Sequence, residues 1–244
     1  MTEKKYRITD ESVVVNGKTL YRIEALRDFS DVKKGDKGGF IENEKNLSQR
    51  GNCWVYDNAK VYGNAEVSGN AKAYCNAEVY DNAMVYGNAK VRDNAKVRDN
   101  ARIYNNAQVY DNAVVLDNVR VCDNAKVYDN AQVYGNAIVS DNSKVSGNAR
   151  IFDDVRIYDN AKVYDNAQVC GNAVVLDNAR IYDNAKVYGD KAKIYDNAII
   201  CDNAEVRDDA MVYGNAQVCG NAQVYGYTRI YDDAVICGDV KISE

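Results

Sequence analysis

Val55-Tyr56-Asp57-Asn58-Ala59-Lys60-Val61-Tyr62-Gly63-Asn64-Ala65-Glu66-Val67 decides the reading of this chain. The same six positions come round twice in it: an apolar β-branched residue, Tyr, Asp or Gly, Asn, Ala, and a variable polar residue. Outward from there, the apolar position recurs every six residues from Val55 to Val187, with only Ala73 smaller, and again from Ile194 to Ile242. One extra residue near Asp190-Lys191-Ala192 separates the two runs. The position three after the Val/Ile is Asn in 25 of the 31 hexads that reach it. Self-similarity at a fixed period is the mark of a repeat architecture.

In Ala-x-Val-Tyr the Ala and Val lie two apart, so in an extended strand they share a face, while x and Tyr take the other. Four alternating residues predict a short strand with one buried side. Asp/Gly and Asn are left to make a corner, and Asn is expected to take the left-handed conformation there, with Asp or Gly before it suiting the same turn. Repeating one corner explains why the chain has no proline, since every stacked strand also needs its N–H for the ladder. A lone strand with an Ala-Val face cannot fold, but coiling the chain so that hexads stack buries that face and pairs the backbone from coil to coil. An antiparallel sandwich would need longer strands and varied hairpins.

The motif Val-Tyr-Asp-Asn-Ala-Lys at 55–60 resembles the hexapeptide repeat of left-handed parallel β-helices. The resemblance implies an all-β, single-stranded β-solenoid with three hexads per coil, left-handed winding, and about ten or eleven coils over residues 53–244. Residues 1–52 differ. Val13-Val14-Val15-Asn16-Gly17-Lys18-Thr19-Leu20-Tyr21-Arg22-Ile23 predicts a hairpin with an Asn-Gly turn. Asn46-Leu47-Ser48-Gln49 and Gly51-Asn52-Cys53-Trp54 then lead into the first coil. Residues 1–52 are thus expected to be a small β cap covering the first coil's edge. This entry segment with the repeats behind it is similar to the YdcK-like bacterial β-helix proteins, a resemblance that carries over no functional residues.

Composition narrows the chemistry. The chain has 244 residues and no histidine, so no imidazole base, Ser-His or Cys-His pair, or histidine metal ligand exists. Hexapeptide β-helices include acyltransferases that use a catalytic histidine between subunits. Against that background the chain is expected not to be an enzyme, with no catalytic residue, metal or cofactor, and acyl transfer stays a remote alternative. A net charge of −5 argues against a general nucleic-acid partner. No apolar run is long enough to span a bilayer and no apolar segment follows the N-terminus, so a cytoplasmic protein with no membrane partner and reduced thiols is expected.

Side chains 18 residues apart stack in columns. One outward face carries Tyr56, Tyr74, Arg92, Tyr110, Tyr128, Ser146, Tyr164 and Tyr182, beside Lys72, Lys90, Gln108, Lys126, Lys144, Lys162 and Arg180. Cations and aromatic rings in parallel columns suit an extended polyanion or glycan; equally, stacked rings covered by lysine stems stabilise the ladder by themselves. Past the insertion the same face changes to Cys201, Cys219 and Cys237, beside Ile199, Gln217 and Val235. Together with Ile242 these form an apolar patch at the last coils, which predicts self-association into a homodimer. A thiolate metal site lacks a fourth ligand. Corner aspartates such as Asp123, Asp141, Asp159 and Asp177 are expected to bond corner N–H groups rather than a cation.

Overall fold

Each hexad builds one short strand and one corner. In Lys60–Val61 the Lys60 amide donates to Ala77 O at 2.8 Å, and the next amide, that of Tyr62, donates to Val79 O at 3.1 Å. Most of the strands span two residues and a few span three, where the alternation predicts four. Ala and Tyr still take part in the ladder through Ala C=O and Tyr N–H, but the chain turns immediately beyond them. At the corner the Ala59 amide donates back to Tyr56 O at 3.0 Å, closing a four-residue turn.

The corner corrects the expectation about Asn. The left-handed residue is the Asp or Gly before it: Asp57 has φ 52°, Asp81 59°, Asp165 58° and Gly147 66°. Asp bears the conformation because its carboxylate gains a bond there. Asp129 Oδ2 accepts the Gly147 amide at 3.0 Å, Asp153 that of Gly171 at 3.1 Å and Asp202 that of Gly220 at 2.9 Å. Each acceptor lies one coil before its donor. Asn does a different job: its amide both donates and accepts along the stacking direction. Asn64 donates to Asn82 at 3.0 Å, Asn148 to Asn166 at 3.0 Å and Asn203 to Asn221 at 3.1 Å.

The computed structural model describes residues 4–244, so residues 1–3 of the expected cap lie outside the described residues. The chain divides into two units, Met1–Asp117 and Asn118–Glu244. In the first, β1 (Tyr6–Val15) and β2 (Lys18–Ala25) pair antiparallel through Asn16 and Gly17, both at positive φ. β2 pairs antiparallel with β3 (Lys37–Ile41), and β3 joins Lys60–Val61 in parallel, with Phe40 beside Lys60 and Ile41 beside Val61. β3 therefore converts hairpin pairing into the parallel ladder. Gly39 makes this possible: a Cβ there would meet Ala59 O at 2.4 Å. Beneath the hairpin, buried Trp54 takes the ring edges of Tyr6 and Phe29 at centroid distances of 6.2 and 5.3 Å.

The second unit holds three parallel ladders. One runs from Lys126–Val127 through Lys144–Val145, Lys162–Val163, Arg180–Ile181, Ile199–Ile200 and Gln217–Val218 to Val235–Ile236. Partners are 18 residues apart until Val174 meets Lys193 and Arg180 meets Ile199, an offset of 19. The extra residue is absorbed in the corner at Gly189, where φ opens to 130°. Inside both units the Ala and Val/Ile columns are almost all fully buried, each Val or Ile contributing roughly 1.5–3 kcal/mol of burial. The parallel β-solenoid expected from the hexads is the fold observed. Among the described residues the one helical segment is the 3-10 turn Glu44–Asn46, and no helix is long and apolar enough to cross a membrane.

Asp153, at φ 64°, tests the corner. Asp153→Ala is expected to lose about 1–2 kcal/mol in urea unfolding, because the bond goes and the left-handed strain stays. Asp153→Gly is expected to stay within about 0.5 kcal/mol of the parent, relief of strain offsetting the lost bond.

Candidate ligand face

In the first unit the Tyr/Lys columns are largely self-satisfied. Tyr56 and Tyr74 stack with centroids 4.6 Å apart and planes at 14°. Lys72 Nζ donates to Asp31 Oδ1 at 2.6 Å and lies 5.4 Å from the Tyr56 ring centre, while the Tyr56 hydroxyl donates to the same carboxylate oxygen at 2.8 Å. Hydrogen bonds from Lys72 and Tyr56 hold Asp31 well below the usual carboxylate range, despite its partial burial. Burial works against the Lys72 charge, but the bonds to Asp31 and Tyr56 outweigh it and raise the ammonium. Lys90 is exposed, in register with Lys72 and Gln108. Arg92 replaces a ring in the tyrosine column with its guanidinium, 4.2 Å from the Tyr110 centroid, and reaches Asp93 at 3.4 Å.

The second unit is different. Lys126, Lys144, Lys162 and Arg180 stand in consecutive register, and among the described residues none of them pairs with a carboxylate. Elsewhere a basic side chain meets an acidic one on the next rung: Lys60 with Glu78 at 3.0 Å and Lys186 with Glu205 at 3.4 Å. Two of the three corner carboxylates beside the cations are engaged by backbone, Asp129 with Gly147 N and Asp183 with Asp202 N; the third is Asp165. Tyr164 and Tyr182 stack at 5.0 Å with planes 7° apart. Burial raises the Tyr164 hydroxyl, and a hydrogen bond with Cys201 pushes Tyr182 up to about 12. Between Tyr128 and Tyr164 the column holds Ser146, which is only 8% exposed. A depression of about 320 Å³ opens there, lined by Tyr128, Lys144, Ser146, Lys162, Tyr164 and Arg180.

Further along the same ladder lie most of the residues expected to self-associate; Ile242 lies on another ladder, in register with Val224. Ile199 and Cys201 are half-buried, Val235 is 61% exposed, Cys237 is exposed and Ile242 half-buried. Cys219 and Cys237 face each other on adjacent rungs with Cα atoms 4.5 Å apart, a separation within disulfide reach. Tyr227, Tyr231 and Val240 are exposed too and were not singled out from sequence. The Asp183, Cys201 and Asp202 donor atoms lie within 4.8 Å of one another. That grouping follows from the corner bonds, Asp202 N to Asp183 at 3.2 Å and the Cys201 thiol to Asp202 at 3.9 Å.

Sequence reasoning missed one feature. A groove of about 550 Å³ follows another face of the second unit along Arg120, Ile138, Arg156 and Val174, flanked by Asn118, Asn136, Asp154 and Asn172. These four side chains are register partners, so the alternation of basic and apolar residues is visible once the variable position is sampled every 18 residues on this face.

Five stretches, 77–93, 107–123, 131–147, 167–180 and 216–232, match the YdcK β-solenoid repeat. Over 62 residues the chain is 39% identical to the Escherichia coli (strain K12) protein named uncharacterized acetyltransferase YdcK. That match covers 22% of this chain and 19% of the relative. The relative's name overturns the expectation that the chain is not an enzyme. The missing histidine excludes an imidazole base, and it was read too broadly as excluding the enzyme class.

The Asp31 cluster predicts a pH dependence. A carboxyl held below its usual range contributes stability that is full above its unfolded value, about pH 4, and is lost as the pH falls through its folded value. Lys72 works in the opposite sense: a raised ammonium contributes fully below its unfolded value, about pH 10.4, and loses that contribution as the pH climbs through its folded value. Asp31→Asn is therefore expected to be less stable than the parent near neutral pH and to converge with it in strong acid, as measured by urea midpoints across the acid range.

Proposed function

We propose that the protein binds an extended polyanion along the cation column of its second unit. The observation that carries this is the run Lys126, Lys144, Lys162 and Arg180, in consecutive register with no carboxylate partner among the described residues. Like charges directly opposite on a ladder are destabilising, and the solenoid balances such positions elsewhere with glutamate, as at Lys60–Glu78. A bound anion would supply the missing countercharge. The net charge of −5 does not oppose this, because a local field is set by the charges that line the surface. Polyanion binding is independent of whether the chain also transfers acetyl groups, the chemistry in the relative's name.

Lys144→Glu tests it in two directions. The new carboxylate would meet Lys126 and Lys162 one rung away, so the variant is expected to gain a few tenths of a kcal/mol of stability. Its affinity for heparin or polyphosphate should fall about tenfold or more, and the parent's binding should weaken steeply with added salt. Heparin binding that Lys144→Glu leaves untouched would refute the proposal.

A second reading has its own observation. Of the seven large apolar or aromatic side chains that are well exposed, four lie within 227–240: Tyr227, Tyr231, Val235 and Val240. Exposed apolar side chains on all three ladders of this stretch favour a second copy of the chain as their partner. Sedimentation velocity is expected to show a dimer that Val235→Lys converts to monomer.

A further inference from the structure

Resting on the polyanion-binding face, a more specific site follows from one vacancy in its tyrosine column. At five rungs a single non-aromatic residue separates two aromatic neighbours 18 or 19 residues away: Arg92, Ser146, Cys170, Leu176 and Arg207. Two of these fill the gap with a flat group. The Arg92 guanidinium stacks 4.2 Å from the Tyr110 centroid and that of Arg207 lies 4.5 Å from Tyr225. Leu176 brings a branched apolar side chain to the gap, and Cys170 a small thiol with Gln168 rather than a cation on its rung. Ser146 combines a small side chain with a lysine, Lys144, on its own rung. Its side chain is small and sunk, and the space above it stays open as the 320 Å³ depression between Tyr128 and Tyr164.

The dimensions of this slot follow from the ladder. Two rungs separate the walls by about 9.6 Å, so a ring placed midway would sit about 4.8 Å from each tyrosine. That is the spacing at which Tyr164 already stacks on Tyr182, 5.0 Å. The vacancy is thus sized for one flat π-system that completes the column. Its chemistry is fixed by what borders it: Lys144 on the same rung as Ser146, Lys162 one rung on, and Arg180 one rung beyond that. Three cations at successive rungs extend over about 9.6 Å, the reach of a short chain of phosphates rather than of one carboxylate.

We propose that this slot binds a nucleoside polyphosphate, its base sandwiched between Tyr128 and Tyr164 and its phosphates on Lys144, Lys162 and Arg180. Only one rung is vacant, so only one base enters. The guanidinium end of Arg180 adds bidentate contacts to phosphate that a lysine does not.

Equilibrium titration with ATP and with inorganic tripolyphosphate tests this. On the parent protein ATP is expected to bind about ten- to a hundredfold more tightly than tripolyphosphate, the gain of sandwiching one base between aromatic rings. Ser146→Tyr inserts the repeat's own residue into the column, so the fold tolerates it. That variant is expected to bring ATP down to the tripolyphosphate level. Equal affinities for ATP and tripolyphosphate on the parent, or an ATP preference that survives Ser146→Tyr, would overturn the slot while leaving the polyanion face standing. Failure of both ligands and of heparin would overturn the face itself.

Discussion

Everything in this molecule depends on a corner that costs conformational energy and is repeated at nearly every sixth residue. A left-handed non-glycine residue is strained, yet aspartate holds that conformation at corner after corner. The strain is offset because the same conformation aims the carboxylate at the next corner's amide, a group that the short strands leave out of the ladder. The neighbouring Asn adds an amide chain parallel to the backbone ladder. Coil therefore locks to coil through strands, aspartate caps and asparagine columns at once, and the backbone can afford strands only two residues long.

A lattice this strict makes each outward column a sum over identical environments. A favourable pair is multiplied, and so is an unfavourable one. The tyrosine columns exploit this, since parallel rings about 5 Å apart stack wherever two tyrosines adjoin. The lysine columns expose it, since an uncompensated cation repels both its neighbours. Where the sequence inserts Glu78 or Glu205 the repulsion is relieved; between Lys126 and Arg180 it is left in place.

The fold was legible because period six carries its own geometry: the Ala and Val columns turned out buried as the alternation requires. The corner was misread at one atom's distance. Asn does tolerate left-handed backbone, but the competing benefit of a carboxylate–amide bond to the next coil is invisible in a single hexad. It emerges only when coils stack. The partner of Lys72 escapes the sequence for a related reason. Column arithmetic places Lys72 on the basic stripe, but Asp31 reaches it from the loop between β2 and β3, a partner that no period predicts. Ser146 was seen as an interruption and not as a cavity, because the size of the space depends on how the flanking rings lie.

Perturbed titration by itself would have pointed elsewhere. Lys5 is fully buried, with its ammonium donating to Cys53 O at 2.9 Å and to the thiol at 3.2 Å. Burial lowers the Lys5 ammonium and raises the Cys53 thiol. Such a pair imitates an activated nucleophile and its base. It sits, however, under the hairpin beside Trp54, with neither side chain reaching solvent, and a thiol raised by burial is a poor nucleophile. Its work is to seat the first strand on the first coil. In a solenoid the functional signal is therefore the break in a column's self-sufficiency. The degree to which any one group's acidity departs from normal is a weaker guide, since the sealed Lys5–Cys53 pair shows it as well as Tyr182 on the open face.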